Sequence, residues 1–137
     1  MCNIPAGLYF SESHEWVRPG RDGLVDVGIS DHAQQALGDL ITVELTGLGT
    51  LLWAGDAAGV LRGTRSAAGI HAPVSGQVVA VNEALENAPH SISSDPYRSW
   101  IYRLRLSNPL AHLHCLLDAS GYRTALGTTA ARRRPAD

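Results

Sequence analysis

Arg62 and Arg65 fall three positions apart on a stretch that reads as a β-hairpin. Two guanidinium groups so placed either grip a carboxylate or phosphate in a forked geometry or stand in water as solvated cations. Thr64 and Ser66 flank Arg65 with hydroxyls that are candidates for an ester-linked group. The acidic helical setting of phosphopantetheine carriers is missing around them. His112, His114 and Cys115 raise a metal reading. On a helix His112 and Cys115 share a face and His114 does not, a closed zinc site takes four ligands, and no Cys-x-x-Cys occurs. No metal is therefore expected, and Cys115 reads as a small buried hydrophobe. Neither a Gly-x-Ser-x-Gly elbow nor an oriented Ser/His/Asp set marks a hydrolase, so no catalytic residue is assigned.

The basic residues carry an unusual signal. All 11 are arginine, and the chain has no lysine to serve as nucleophile, Schiff-base partner or acylation site. With 137 residues and 45% hydrophobic content, the chain is one globular domain's worth of sequence. A net charge of -2 excludes nucleic-acid binding by bulk charge. No apolar run approaches the roughly 18–20 residues that cross a membrane. The opening residues, Met1 to Phe10, lack the basic start and long apolar stretch of a secretory signal. Two distant cysteines, Cys2 and Cys115, fit reduced thiols, and a cytoplasmic location is expected.

The elements that must position these residues are mostly strands. Runs rich in Val, Ile and Leu at Leu24 to Ile29, Leu40 to Leu45, Ala57 to Leu61 and Gln77 to Val81 alternate with Gly, Pro, Asn and Asp punctuation. Ile41, Val43 and Leu45 share one face by alternation. Trp100, Tyr102, Leu104 and Leu106 take one face and Arg103 and Arg105 the other, at the period of a half-buried strand. Ser30 to Gly38 reads as a helix with a serine cap and a glycine stop. A second helix is expected from Asn108-Pro109 through Leu110, Leu113, Leu116 and Leu117. Gly121 interrupts it before Tyr122 to Leu126, and Gly127 to Asp137 reads as a disordered Arg-rich tail. The expected organisation is an extension over 1–7, a domain over 8–126 and the tail over 127–137.

Several strings, read in order, resemble the H protein of the glycine cleavage system. They are Ser13-His14-Glu15-Trp16-Val17, Val27 to Gln34, Leu37-Gly38-Asp39, Val43-Glu44-Leu45, Ala72-Pro73-Val74-Ser75-Gly76, Val81 to Leu85, Asp95-Pro96-Tyr97 and Leu116-Leu117-Asp118-Ala119 with Tyr122. The resemblance covers about residues 8 to 126. It implies a mainly β fold: a flattened antiparallel sandwich, or barrel-sandwich hybrid, with short helices near each end. In that family a lysine at a β-hairpin tip carries lipoate through an amide. The arm serves a glycine decarboxylase, an aminomethyltransferase and a flavin dehydrogenase in turn. The loaded arm lies in a cleft whose serine, glutamate and histidine match Ser13, Glu15 and His32, while the family's aspartate is Gly69 here. The alternative for Ser13 to Trp16 is a structural turn around a core tryptophan.

The family's lipoyl segment, Glu-Ser-Val-Lys-Ala-Ala-Ser-Asp, aligns without a gap on Arg62 to Gly69, which puts Arg65 at the lysine position. A guanidinium stays protonated and offers no amine to acylate. The resemblance therefore implies a chain not lipoylated at a lysine, with no cofactor. Its role would be that of a binding or regulatory partner, not a catalyst. Docking would use the hairpin residues Arg62, Gly63, Thr64 and Ser66. Expected partners are a glycine decarboxylase-like or aminomethyltransferase-like protein, or a lipoate-handling enzyme, with no nucleic acid and no membrane. Two alternatives stand beside this. One is recruitment to a specialised pathway with a small amine or amino acid in the cleft. The other is a carrier joined through a residue other than lysine.

Overall fold

The computed structural model describes residues 4–107 and 116–136, with 128–136 as backbone. In chain order the elements are β1 (Tyr9–Phe10), β2 (Glu15–Pro19), β3 (Leu24–Ile29), α1 (Asp31–Leu37), β4 (Leu40–Leu45), β5 (Leu51–Leu52) and β6 (Ala57–Gly63). They continue with β7 (Ala67–His71), β8 (Gly76–Val81), α2 (Ala84–Asn87), α3 (His90–Ser94), β9 (Tyr102–Leu106) and α4 (Ala119–Ala136). Six strands form one sheet in the order β1-β2-β3-β9-β8-β5, and three form a second in the order β4-β6-β7. Every pairing is antiparallel. This is the mainly β architecture expected from the sequence.

The alternation in β9 works as read. Tyr102, Leu104 and Leu106 are buried while Arg105 stays exposed, and Arg103 reaches across to Asp26 on β3 with Nε at 2.6 Å from Oδ1. A core of Val17, Val25, Val27, Leu40, Leu61, Ile70, Val78, Ile101 and Leu104 fills the fold. A second, aromatic cluster joins Phe10, Trp16, Tyr97 and Tyr122. Phe10 and Tyr122 stack with centroids 4.4 Å apart, which fastens α4 to the first strand.

The structure departs from the sequence reading at several places. Ile41 is 55% exposed, because a register shift between Leu40 and Thr42 breaks the alternation that Val43 and Leu45 follow. Helices α2 and α3, of four and five residues, hold too little sequence to show a helical period. The expected second helix falls largely on residues 108–115, outside those described, together with His112, His114 and Cys115. Leu117 is extended and exchanges backbone hydrogen bonds with Phe10 at 2.7 and 2.8 Å, so the helix begins only at Ala119. Its backbone then stays helical to Ala136, across the segment read as a disordered tail. Ala and Arg, which abound there, are good helix formers.

The Tyr102 hydroxyl is buried without a hydrogen-bond partner among the described residues. Tyr102→Phe is expected to leave stability unchanged or raise it by about 1 kcal/mol, because an unmade buried hydrogen bond costs more than a missing hydroxyl. Urea unfolding checks this, and a lower midpoint would mean that the hydroxyl is satisfied.

Candidate functional site

The β6–β7 hairpin ends in the turn Gly63-Thr64-Arg65-Ser66, closed by Gly63 N–H donating to Ser66 O at 2.9 Å. The turn is seated on the C-terminus of α1. That helix starts as the sequence indicates, with Ser30 Oγ accepting from Ala33 N–H, and stops at Gly38. Its last carbonyls have no partner within the helix, and the hairpin supplies them. Arg65 N–H donates to Leu37 O at 2.9 Å, Ser66 N–H to the same oxygen at 3.4 Å and Ser66 Oγ to Ala36 O at 3.4 Å. Arg65 Nη1 donates to Gln35 O at 3.0 Å, a cation at the negative end of the helix. Thr64 N–H donates to Asp39 O at 3.0 Å, and Asp39 N–H returns a bond to Thr64 Oγ1 at 3.2 Å. A Cβ on Gly63 would strike Leu37 O, so the close approach needs glycine there.

Arg62, Gly63, Thr64, Arg65 and Ser66 are thus brought together, with Arg62 and Arg65 both exposed. Residue 65 does not fit an amide-linked lipoyl group. Its guanidinium offers no amine to acylate and is engaged with a helix carbonyl, and no lysine occurs elsewhere in the chain.

The second set lies at the start of β2. Glu15 is 2% exposed, yet its carboxylate accepts from Ser11 Oγ at 2.7 Å, from Ser13 Oγ and from His71 N–H at 3.3 Å. Ser11 Oγ in turn accepts from Glu15 N–H at 3.0 Å. His14 sits between the serine and the glutamate at φ 74°, a left-handed conformation that turns its ring the other way. His14 Nδ1 lies 2.7 Å from Tyr122 Oη, which lies 2.8 Å from Ser30 Oγ. The rings of His14 and His32 are 4.6 Å apart.

Ser13 meets Glu15 through its hydroxyl, while the His32 ring lies tilted against that of His14. Gly69 lies on β7 beside Gly59 O, and His71 is the β7 residue that reaches Glu15. The sequence reading gives no site role to Ser11, His14, Ser30, His71 or Tyr122, although His14 and Tyr122 stand in the strings that carry the resemblance and Ser30 reads as the helix cap. For Ser11 a signal was present: Ser11, Ser13 and Glu15 alternate. For the pairing of Tyr122 with His14 there was none, since 108 residues separate them.

Burial pushes the Glu15 carboxyl above its ordinary 4.5, against the hydrogen bonds from Ser13 and Ser11 that favour charge. Burial, and then the neighbouring His32, push His14 below its ordinary 6.5. The two shifts act in opposite directions. A raised Glu15 stabilises the fold most below its unfolded pKa, and that contribution is lost as pH rises through the folded value. A lowered His14 contributes most above its unfolded pKa and loses this as pH falls through the folded value. Glu15→Gln is expected to flatten the decline of stability on the alkaline side of pH 4.5. His14→Asn, which tolerates the same φ, is expected to flatten the decline below pH 6.5. Denaturant melts across that range read both slopes.

The pattern that defines the glycine cleavage H-protein family matches residues 8–129. The chain is 55% identical to glycine cleavage system H protein 2 of Pseudomonas putida over 127 residues, covering 93% of this chain and 99% of the relative. It is 47% identical to the glycine cleavage system H protein of Methylococcus capsulatus over 124 residues, 90% of this chain and 97% of the relative. The crystal structure of a glycine cleavage system H protein from Mycobacterium marinum superposes with a TM-score of 0.81 at 37% identity, covering 90% of this chain and 99% of that one. These relatives overturn one expectation, that of a chain with no cofactor. The family they name is the one that carries lipoate, and Arg65 rules out a lysine amide at its own position, not the cofactor. By family pattern, sequence identity over nearly its whole length and superposed fold, the chain belongs to the glycine cleavage H-protein family.

Proposed function

We propose that the chain works in a glycine-cleavage-type system by docking to its enzymes, a glycine decarboxylase-like or aminomethyltransferase-like protein, through the face formed by α1 and the hairpin tip. In that role it positions or regulates the enzyme that receives it. The observation that supports this is the seat of the tip. Residues 64–66 bond to residues 35–39 through both backbone and side chains, so Arg62 to Ser66 are held out as one fixed, exposed surface. A preformed surface loses little conformational entropy on docking.

Recruitment to a separate pathway, and carriage through Thr64 or Ser66, draw no support from relatives named for glycine cleavage. The test is binding of the purified protein to the decarboxylase and the aminomethyltransferase of its own host, by size-exclusion chromatography and biolayer interferometry. A saturable complex with either enzyme is expected. Failure to bind either one overturns the docking role.

A further inference from the structure

We propose that Arg65 is a fixed, forked receptor for a carboxylate on the surface of the protein that docks at the hairpin tip. This rests on the docking role above and adds the chemistry of the contact. The Nη1 end of the guanidinium is tied to Gln35 O. The Nε–H and Nη2–H pair on its other edge has no hydrogen-bond partner among the described residues, and it has the spacing that receives a carboxylate bidentately. Arg65 is exposed, and the tie to α1 removes part of the freedom that a solvated arginine gives up on binding.

Charge points the same way. Residues 62 to 69 hold two arginines and no carboxylate. The ion pairs formed among the described residues join Arg98 to Asp95 and Arg103 to Asp26, leaving Arg62 and Arg65 without one. Asp39, next to the tip, is bound to Thr64 through its backbone and is not in either ion pair formed among the described residues.

The ligand is a carboxylate in preference to a phosphate because the tip has no backbone donors to spare. Phosphate sites collect several free N–H groups. Here those of Gly63, Thr64, Arg65 and Ser66 are directed at Ser66 O, Asp39 O, Leu37 O and Leu37 O. One planar fork with a second cation nearby suits an aspartate or glutamate side chain.

The experiment follows the Arg65 Nε–Hε cross-peak by ¹⁵N NMR during titration with a capped Glu/Asp peptide, its Gln/Asn counterpart and a phosphoserine peptide. The acidic peptide is expected to move the Arg65 peak saturably, and the amide peptide to leave it in place. Arg65→Lys keeps the charge but loses the fork, and is expected to weaken binding about tenfold. Equal binding by Arg65→Lys, an unmoved peak, or tighter binding of the phosphoserine peptide would overturn the proposal. Arg65→Gln measured against the host enzymes separates the two readings. An enzyme complex of undiminished affinity removes the carboxylate contact and leaves docking intact. A peptide response from a protein that binds no enzyme removes docking and leaves the receptor.

Discussion

Gly28→Ala is expected to lower stability by about 3 kcal/mol and Tm by roughly ten degrees, a large effect for one methyl group. Gly28 on β3 lies directly opposite Trp16 on β2. A Cβ there would stand 2.5 Å from Trp16 Cε2 and 2.7 Å from Nε1, well inside contact distance. Had the indole been a loose surface group, it would swing aside at little cost. It is instead fully buried, donates from Nε1 to Pro96 O at 3.0 Å and carries the Arg18 guanidinium 4.6 Å above its ring. Relief therefore requires either breaking that bond or parting β2 from β3. Circular-dichroism melts and Trp16 fluorescence measure the result. The double variant Gly28→Ala with Trp16→Leu should lose less than the sum of the single changes if the clash is the cause. A loss below about 0.5 kcal/mol would show that the strands yield freely. Glu15 precedes Trp16 on the same strand, so the variant is also expected to disturb the carboxylate and its serine contacts.

What was legible in the sequence was whatever is encoded locally. β3 and β4 occupy the spans that their apolar runs mark, and α1 begins and ends at the serine and glycine that cap it. These signals lie within one turn or one pleat of the residues they control. The face of Ile41 was lost to a bulge, a feature of strand pairing that a single strand's alternation does not contain. Helices α2 and α3 owe their place to the chain around them: Asn82 Oδ1 accepts from Ala84 N–H at 3.3 Å, and Ser93 Oγ accepts from Leu40 N–H at 2.9 Å.

The site divides in the same way. Ser13 and Glu15 stand two residues apart within a motif that resembles a known family, so their contact is local. The His14–Tyr122–Ser30 chain joins the start, the first helix and the C-terminal helix of the protein, so only the folded chain brings it together. At the hairpin, the arginine itself was plain in the sequence. Its attachment to α1 was not, since Gln35 and Arg65 meet across 30 residues.

That attachment makes Gly38→Ala the most direct test of the site. Gly38 has φ 79° and ψ -164°, a region that is essentially glycine's own and costs another residue about 1–3 kcal/mol. The side chain would also be aimed at the tip. Its Cβ would meet Thr64 Oγ1, Arg65 Cγ at 2.9 Å and Arg65 N at 3.1 Å. Backbone strain and collision act on the same joint, so the hairpin is expected to lift from α1 while the two sheets stay paired. Amide exchange at Thr64, Arg65 and Ser66, whose N–H groups point at residues 37 and 39, should accelerate by more than about tenfold, whereas exchange at Val27 and Leu104 should change little. Enzyme binding should weaken with it, because a mobile tip must be ordered again on docking. Unchanged exchange at Arg65 would mean that the tip holds its own shape without the helix, and the fixed presentation of the guanidinium would then have to come from the β6–β7 hairpin alone.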